Sequence, residues 1–272
     1  MEVLTLIDNV VYGQGLVGEH GLSFLIKING KKILFDTGQT GAILQNASFL
    51  EEDLSEVDAV VLSHGHYDHC GGLESFLKVN THATIYLKRK AMDEKFSLRE
   101  GVKKFIGFSL SQPIESYDNP FVFVDSNVEI YPGVILMPNI QTYTNNLVEQ
   151  NRFYEKTNHQ FIHDSFADEL FMMVETNQST HVFTGCSHKG ILNILKTAYE
   201  ASTNGKLDTL SGGMHFTGSL LNELDGHIDE LSLFGLKKFY PNHCTGIDGY
   251  FKLKARYGDQ VKYPFTGFRY DL

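Results

Sequence analysis

The chain contains no tryptophan and only six prolines and three cysteines in 272 residues. Cys70, Cys186 and Cys244 are odd in number and widely spaced, which argues against a disulfide framework and makes reduced thiols the expectation. No Pro/Gly/Ser-rich linker interrupts the sequence, and no period of 20 to 50 residues repeats, so solenoids and tethered modules are excluded. Basic charge is also scarce: 23 Lys+Arg stand against 33 Asp+Glu, a formal net charge of −10. That balance repels phosphate backbones and anionic lipid, so neither nucleic acid nor a membrane is an expected partner. No stretch approaches the ~18 apolar residues of a membrane span. The opening MEVLTLIDNV carries two acids and no basic region, from which a cytoplasmic protein is expected.

What is present is an ordinary globular composition, 42% hydrophobic and 21% charged. It suits one domain over residues 1–272, with an insertion or mobile segment at Arg89 to Asp118, where charge, Gly107 and Pro113 break the rhythm. Short apolar runs bounded by turn residues predict strands at Val3 to Ile7, Ser23 to Ile28, Lys32 to Phe35 and Ala59 to Leu62. Ile28-Asn29-Gly30-Lys31 predicts a two-residue hairpin. Later strands are expected at Thr84 to Lys88, Phe121 to Ile130, Leu170 to Glu175, His181 to Phe183 and Lys237 to Tyr240. Helical periodicity marks Gly41 to Leu50, Leu73 to Val79, Ile191 to Ser202, Leu220 to Leu233 and Tyr250 to Tyr257. Strands interspersed with helices, plus hairpins, mean an α/β or α+β layered fold with mixed sheets.

The strongest signal is Ser63-His64-Gly65-His66-Tyr67-Asp68-His69-Cys70-Gly71-Gly72, where an apolar strand runs directly into three histidines and an aspartate within six residues. Alternate residues of a tight loop point the same way, so His64 and His66 can share one ion while Asp68 and His69 turn toward a second. Imidazole and carboxylate suit zinc, iron(II) or manganese(II). A merely solvated loop is a poor explanation for such density after a buried strand.

With these residues the sequence resembles the metallo-β-lactamase superfamily, whose His-x-His-x-Asp-His loop stands at His64, His66, Asp68 and His69. Further landmarks follow in order: Phe35-Asp36-Thr37-Gly38, whose aspartate supports the loop by hydrogen bonds; Val182-Phe183-Thr184-Gly185-Cys186-Ser187-His188; and Tyr240-Pro241-Asn242-His243-Cys244-Thr245-Gly246. The resemblance implies a four-layer αββα sandwich with two mixed β-sheets and two divalent metal ions, with zinc favoured and iron or manganese as alternatives. Implied ligands are His64, His66, Asp68, His69, Cys186, His188 and His243. Cys186 stands where the family has a bridging aspartate, and it is either a thiolate ligand or a buried inert cysteine. His188 is the leading candidate for the missing third histidine, and His163 is its rival. Gly185-Cys186-Ser187-His188, Gly212-Gly213-Met214-His215 and His243-Cys244-Thr245-Gly246 narrow the likeness to a branch of metal-dependent hydrolases that includes archaeal dihydropterin ribofuranosyl-aminobenzene phosphate synthases.

In Gly212-Gly213 the paired glycines suggest close approach of backbone to a ligand, and His215 is expected to touch substrate or metal. The three cysteines beside these motifs predict a thiol-sensitive site. Gly13-Gln14-Gly15-Leu16-Val17-Gly18 lacks the strand and helix of a dinucleotide motif and reads as a flexible loop beside the metal edge, with His20 close by. Asp168-Glu169 reads as a surface pair, and no function attaches to His82, His159, His181 or His227. The expected activity is hydrolysis of a phosphorylated or ester small molecule, with Asp68 and His215 as catalytic residues and Asp68 accepting a proton from the activated water. The alternatives are a pterin-type phosphate synthase, which is a transferase, or a non-catalytic metal-binding or sensor module. The 13 tyrosines and 20 phenylalanines serve core and interface equally, so composition leaves the oligomeric state open.

Overall fold

A computed structural model describes residues 1–144, 150–217 and 223–272. The chain divides into two compact units, one formed by Met1–Val124, Gln150–Asp168 and Pro264–Leu272, the other by Asp125–Glu149 and Glu169–Tyr263. Elements are numbered along the chain across both.

The first unit is built on a seven-stranded mixed sheet of β1 (Glu2–Ile7), β2 (Ser23–Ile28), β3 (Lys31–Phe35), β4 (Ala59–Val61), β5 (Thr84–Leu87), β8 (Phe121–Phe123) and β17 (Arg269–Asp271), in the order β17-β1-β2-β3-β4-β5-β8. The strands from β17 to β3 pair antiparallel, and those from β3 to β8 pair parallel. The β2–β3 hairpin pairs Ile28 with Lys31, and Asn29 and Gly30 both take positive φ (50° and 76°), as a type I′ turn requires. Parallel strands covered on both faces need continuous apolar side chains, and Ala59, Val60 and Val61 are all fully buried. The short helices α1 (Ala42–Phe49), α2 (Tyr67–Cys70) and α3 (Leu73–Leu77) follow β3 and β4, and Ile43, Ala47, Leu73 and Phe76 join the core of Leu6, Leu34, Val60 and Ile85.

A four-stranded antiparallel sheet completes this unit, in the order β12-β11-β6-β7, from β6 (Lys95–Arg99), β7 (Val102–Phe105), β11 (Phe153–Thr157) and β12 (Gln160–His163). The segment Arg89 to Asp118 thus contains a hairpin turned by Glu100 and Gly101, both at positive φ. Its alternation of Lys, Ser and Arg against Phe and Leu is a period-2 pattern that charge obscures in the sequence.

The second unit carries a six-stranded mixed sheet of β9 (Val128–Tyr131), β10 (Val134–Met137), β13 (Phe171–Glu175), β14 (Thr180–Thr184), β15 (Thr209–Gly212) and β16 (Lys238–Pro241), in the order β16-β15-β14-β13-β10-β9. Here β14, β15 and β16 are parallel and the rest antiparallel. Its helices are α4 (Ile191–Ala201), α5 (Leu224–Glu230) and α6 (Gly246–Tyr257). Helix α4 buries Ile191, Ile194, Leu195 and Ala198, a 3.6-residue stripe, in a core with Phe171, Val182, Leu210 and Phe239. The expected helix Leu220 to Leu233 is α5 followed by a 3-10 turn at Leu231–Phe234, and its positions 220–222 lie outside the described residues. The single strand expected at Phe121 to Ile130 is two, β8 and β9, because Asp125-Ser126-Asn127 breaks it at the boundary between the units. Each unit therefore has its own mixed sheet and its own core. Among the described residues no helix is long and apolar enough to cross a membrane.

Candidate functional site

In both mixed sheets the motif residues follow the carboxyl ends of parallel strands, where open α/β sheets bind ligands. In the first unit Phe35 of β3 pairs with Val61 of β4, so Asp36 and the Ser63-His64 step leave the sheet at nearly the same level. Asp36 takes a left-handed conformation (φ 58°) and is fully buried. Its carboxylate organises the loop: Oδ1 accepts from the Ser63 amide (2.7 Å), and Oδ2 accepts from the Ser63 hydroxyl (2.7 Å) and from His69 Nδ1 (2.6 Å). With its proton given to Asp36, the Ser63 oxygen accepts from His64 Nδ1 at 2.9 Å. One carboxylate thus fixes two tautomers, leaving Nε2 of both His64 and His69 as the lone-pair nitrogen that a metal requires.

The His64 ring centroid lies 4.5 Å from that of His66 and 4.2 Å from that of His69. Burial pushes the His66 pKa down to about 4, which keeps the imidazole neutral and able to ligate. His66 stacks on Phe153 (5.8 Å) and meets the edge of Phe166 (6.2 Å). Asp68, on the first turn of α2, places Oδ2 3.1 Å from His20 Nε2 and 3.9 Å from His69 Nε2. Gly65 admits no side chain, since a Cβ there would lie 2.0 Å from the Ala91 carbonyl oxygen. The Cys70 thiol donates to the His64 carbonyl (3.0 Å), and burial raises its pKa well above the ordinary thiol value. Through this bond Cys70 ties the helix end back to the histidine loop.

The second unit brings together Cys186, His188, His215, His243 and Cys244, all of them buried. Thr184, Gly212 and Pro241 stand side by side in the ladder, so the loops after β14, β15 and β16 start level. Ser187 (φ 62°), His215 (φ 51°) and His243 (φ 49°) are left-handed; with Asp36 they make four of the ten positive-φ non-glycine residues among those described. Such strain concentrates where a side chain must be aimed. His188 and His215 lie with ring centroids 4.8 Å apart, and Cys186, His243 and Cys244 offer ligand atoms all within 4.8 Å of one another. Cys244 was not foreseen as a donor; its own thiol donates to the Cys186 carbonyl at 3.4 Å. The paired glycines approach protein, not an open ligand space: a Cβ on Gly212 would meet the Thr184 carbonyl at 2.0 Å, and one on Gly213 the Cys244 sulfur at 2.4 Å.

His163 is exposed on β12, stacked on Tyr154 (4.6 Å), whereas His188 is buried beside His215. Asp168 and Glu169 are not a surface pair, since each is 1% exposed. Asp168 accepts from the Gly65 amide (2.8 Å) within the first unit, and Glu169 accepts from the His188 and Lys189 amides (2.6 and 2.7 Å) within the second. Sequence reasoning missed them because two adjacent acids beside a strand look solvated unless their long-range donors are known. The Gly13 to Gly18 stretch is an irregular loop whose Val17 amide is held by Asn46 Oδ1 (2.8 Å). His181 bonds Thr209 and Ser179 inside its own sheet.

The family model described as the metallo-beta-lactamase superfamily matches residues 16–188, more than half the chain and all of the histidine loop. The chain belongs to this superfamily. Members of the metallo-beta-lactamase superfamily usually bind divalent metals, and the oriented imidazoles of the first unit and the buried histidines and thiols of the second are a donor chemistry that fits them. The chain is 28% identical to a 7,8-dihydropterin-6-methyl-4-(beta-D-ribofuranosyl)-aminobenzene-5'-phosphate synthase of Methanocaldococcus jannaschii, over 97% of this chain and 93% of that protein. It is 30% identical to an uncharacterized protein of the same organism, over 91% and 92% of the two chains. Among solved structures it is similar to Tm1679, a metal-dependent hydrolase of the beta-lactamase superfamily, with a TM-score of 0.87 and 28% identity over 100% of this chain and 99% of that one.

Proposed function

We propose that the protein is a metal-dependent hydrolase acting on a phosphorylated or ester small molecule through a binuclear centre. The observation that carries this reading is the Asp36 network, which presents Nε2 of His64 and His69 as metal-ready nitrogens. In this reading His64, His66, Asp68 and His69 of the first unit and Cys186, His188 and His243 of the second would be the residues that ligate metal. Zinc is the favoured metal, because imidazole and thiolate are its usual donors; iron and manganese are the alternatives. Bound divalent ions supply an acidified water and a polarised carbonyl or phosphoryl oxygen.

The remaining chemistry belongs to the chain. Asp68 accepts the proton of the attacking water at its carboxylate. His20, half exposed, lies 3.1 Å from that carboxylate. His215 contacts the substrate from the left-handed turn after β15. A second reading, a transferase of the pterin phosphate synthase type, is favoured by the 28% identity to such a synthase over 97% of this chain.

Elemental analysis of protein purified without added metal is the deciding test. Close to two zinc, iron or manganese ions per chain, with turnover in a phosphate-ester and lactone screen, is the expected result. Metal without turnover on any ester, but with product formed from a pterin that carries a pyrophosphate or hydroxyl leaving group and a phosphorylated aminobenzene acceptor, would replace hydrolysis by transfer. Metal with no turnover of either kind would make the protein a binding or sensor module. No metal after reconstitution under reducing conditions would overturn the metal chemistry.

A further inference from the structure

Lys95 is fully buried on β6 among three buried carboxylates. Its Nζ lies 3.1 Å from Asp168 Oδ1, 3.0 Å from Asp164 Oδ2 and 3.6 Å from Glu155 Oε2. Burial opposes its charge, but Asp168 and Asp164 keep it protonated well beyond the ordinary lysine range. Ion clusters of this kind are poor sources of stability, because desolvation offsets the attraction and packed apolar side chains serve as well. A reason other than stability is therefore needed for four buried charged groups in one place.

The other oxygen of Asp168 supplies it. Oδ2 accepts the Gly65 amide at 2.8 Å, and Gly65 is the residue between His64 and His66. The Asp164 carboxylate instead binds the nearby Phe166 amide (2.7 Å) and does not reach the loop. In the second unit Glu169 spans the His188 and Lys189 amides at 2.6 and 2.7 Å, where the chain turns from β14 into α4. Each acid thus grips the main chain of a candidate donor loop.

We propose that the consecutive acids Asp168 and Glu169 are a pair of positioning residues, one for each donor loop, with Lys95 holding Asp168 in place. The inference rests on the metal reading above only for the purpose of the positioning. The loop order itself is a property of the metal-free chain. Outer partners of this kind usually tune metal affinity 10–100-fold, because a donor that wanders loses pre-organisation.

The test compares Asp168→Ala, Glu169→Ala and Asp164→Ala with the parent protein. Amide hydrogen exchange of the metal-free proteins gives the first readout, and zinc affinity by competition with a chromophoric chelator gives the second. Asp168→Ala is expected to speed exchange about tenfold or more around Gly65, and Glu169→Ala around His188 and Lys189, each with a ~10–100-fold loss of zinc affinity. Asp164→Ala, which removes a carboxylate from the same lysine, is expected to lower thermal stability while leaving exchange at Gly65 and zinc affinity within about threefold of the parent. Unchanged exchange at both loops, or an Asp164→Ala effect equal to that of Asp168→Ala, would overturn the assignment. If an alanine variant does not fold, Asp168→Asn and Glu169→Gln keep an acceptor without the charge and should show the same site-specific loosening to a smaller degree. If the parent binds no zinc while the exchange pattern holds, the metal reading falls and the positioning of the loops stands.

Discussion

The two units present their candidate donors in opposite ways. In the first, His64, His66, Asp68 and His69 lie within six consecutive residues, and one buried carboxylate, Asp36, orients two of the three imidazoles. In the second, Cys186, His188, His215 and His243 come from three loops spread over 58 residues, aligned by the register of three parallel strands and by left-handed turns. A contiguous loop needs one strand end and one hydrogen-bonding anchor. A dispersed set needs a sheet. The first arrangement concentrates its vulnerability in a few residues, and the second shares it among backbone conformations.

The largest expected effect breaks the comparison at its donors. Asp68→Ala should reduce turnover on the best substrate ~10³-fold, as loss of a positioned base does, while His243→Ala should cost mainly metal occupancy. Equal losses of metal and turnover in the two variants would remove Asp68 from its proton-accepting role. Next come the supports. Asp36→Ala should weaken metal binding ~10–100-fold, because two imidazoles lose their tautomer control together. Ser187→Ala, which removes one hydroxyl bond to the Gly213 carbonyl (2.6 Å) in the second unit, should cost less than a tenth of that loss. A chelator competition titration on both proteins decides whether support is concentrated in the first unit.

Acid sensitivity sharpens the picture of the second unit's sheet. Burial pushes His181 down from 6.5 to about 4, with Asp208 opposing only in part. The folded protein therefore holds this imidazole neutral while the unfolded chain takes up a proton below pH 6.5. Stability from this group is complete above 6.5 and is lost as pH falls toward 4, by up to about 2–3 kcal/mol. His181→Gln should flatten that limb of a urea-midpoint titration between pH 7 and 4.5, and an unchanged slope would contradict the neutral, buried assignment. The smallest effect belongs to Cys70. Replacing it by alanine removes a thiol bond to the His64 carbonyl and should cost about 1 kcal/mol by denaturation while leaving metal content unchanged.

Much of the fold was legible because its signals are local. The β2–β3 turn, the buried β4 run and the stripe of α4 each declare themselves within a dozen residues. The β6–β7 hairpin was obscured, since Lys95, Ser97 and Arg99 alternate with Phe96 and Leu98 in a segment whose charge mimics a loop. The break between β8 and β9 was hidden for a different reason: apolar residues continue on both sides of Asp125-Ser126-Asn127, and only tertiary packing assigns the two halves to different units.

The sequence by itself determined the family, the histidine loop and the order of the motifs, because a strand ending in closely spaced ligands is written in adjacent residues. Tertiary structure alone decided that Asp168 and Glu169 are buried anchors, that Gly212 and Gly213 make room for protein, and that Cys244 lies beside Cys186 and His243. The physical reason is range. Periodicity and ligand spacing act over a few residues, whereas the hydrogen bond from Gly65 to Asp168 spans 103 positions and exists only once the sheets have fixed their register.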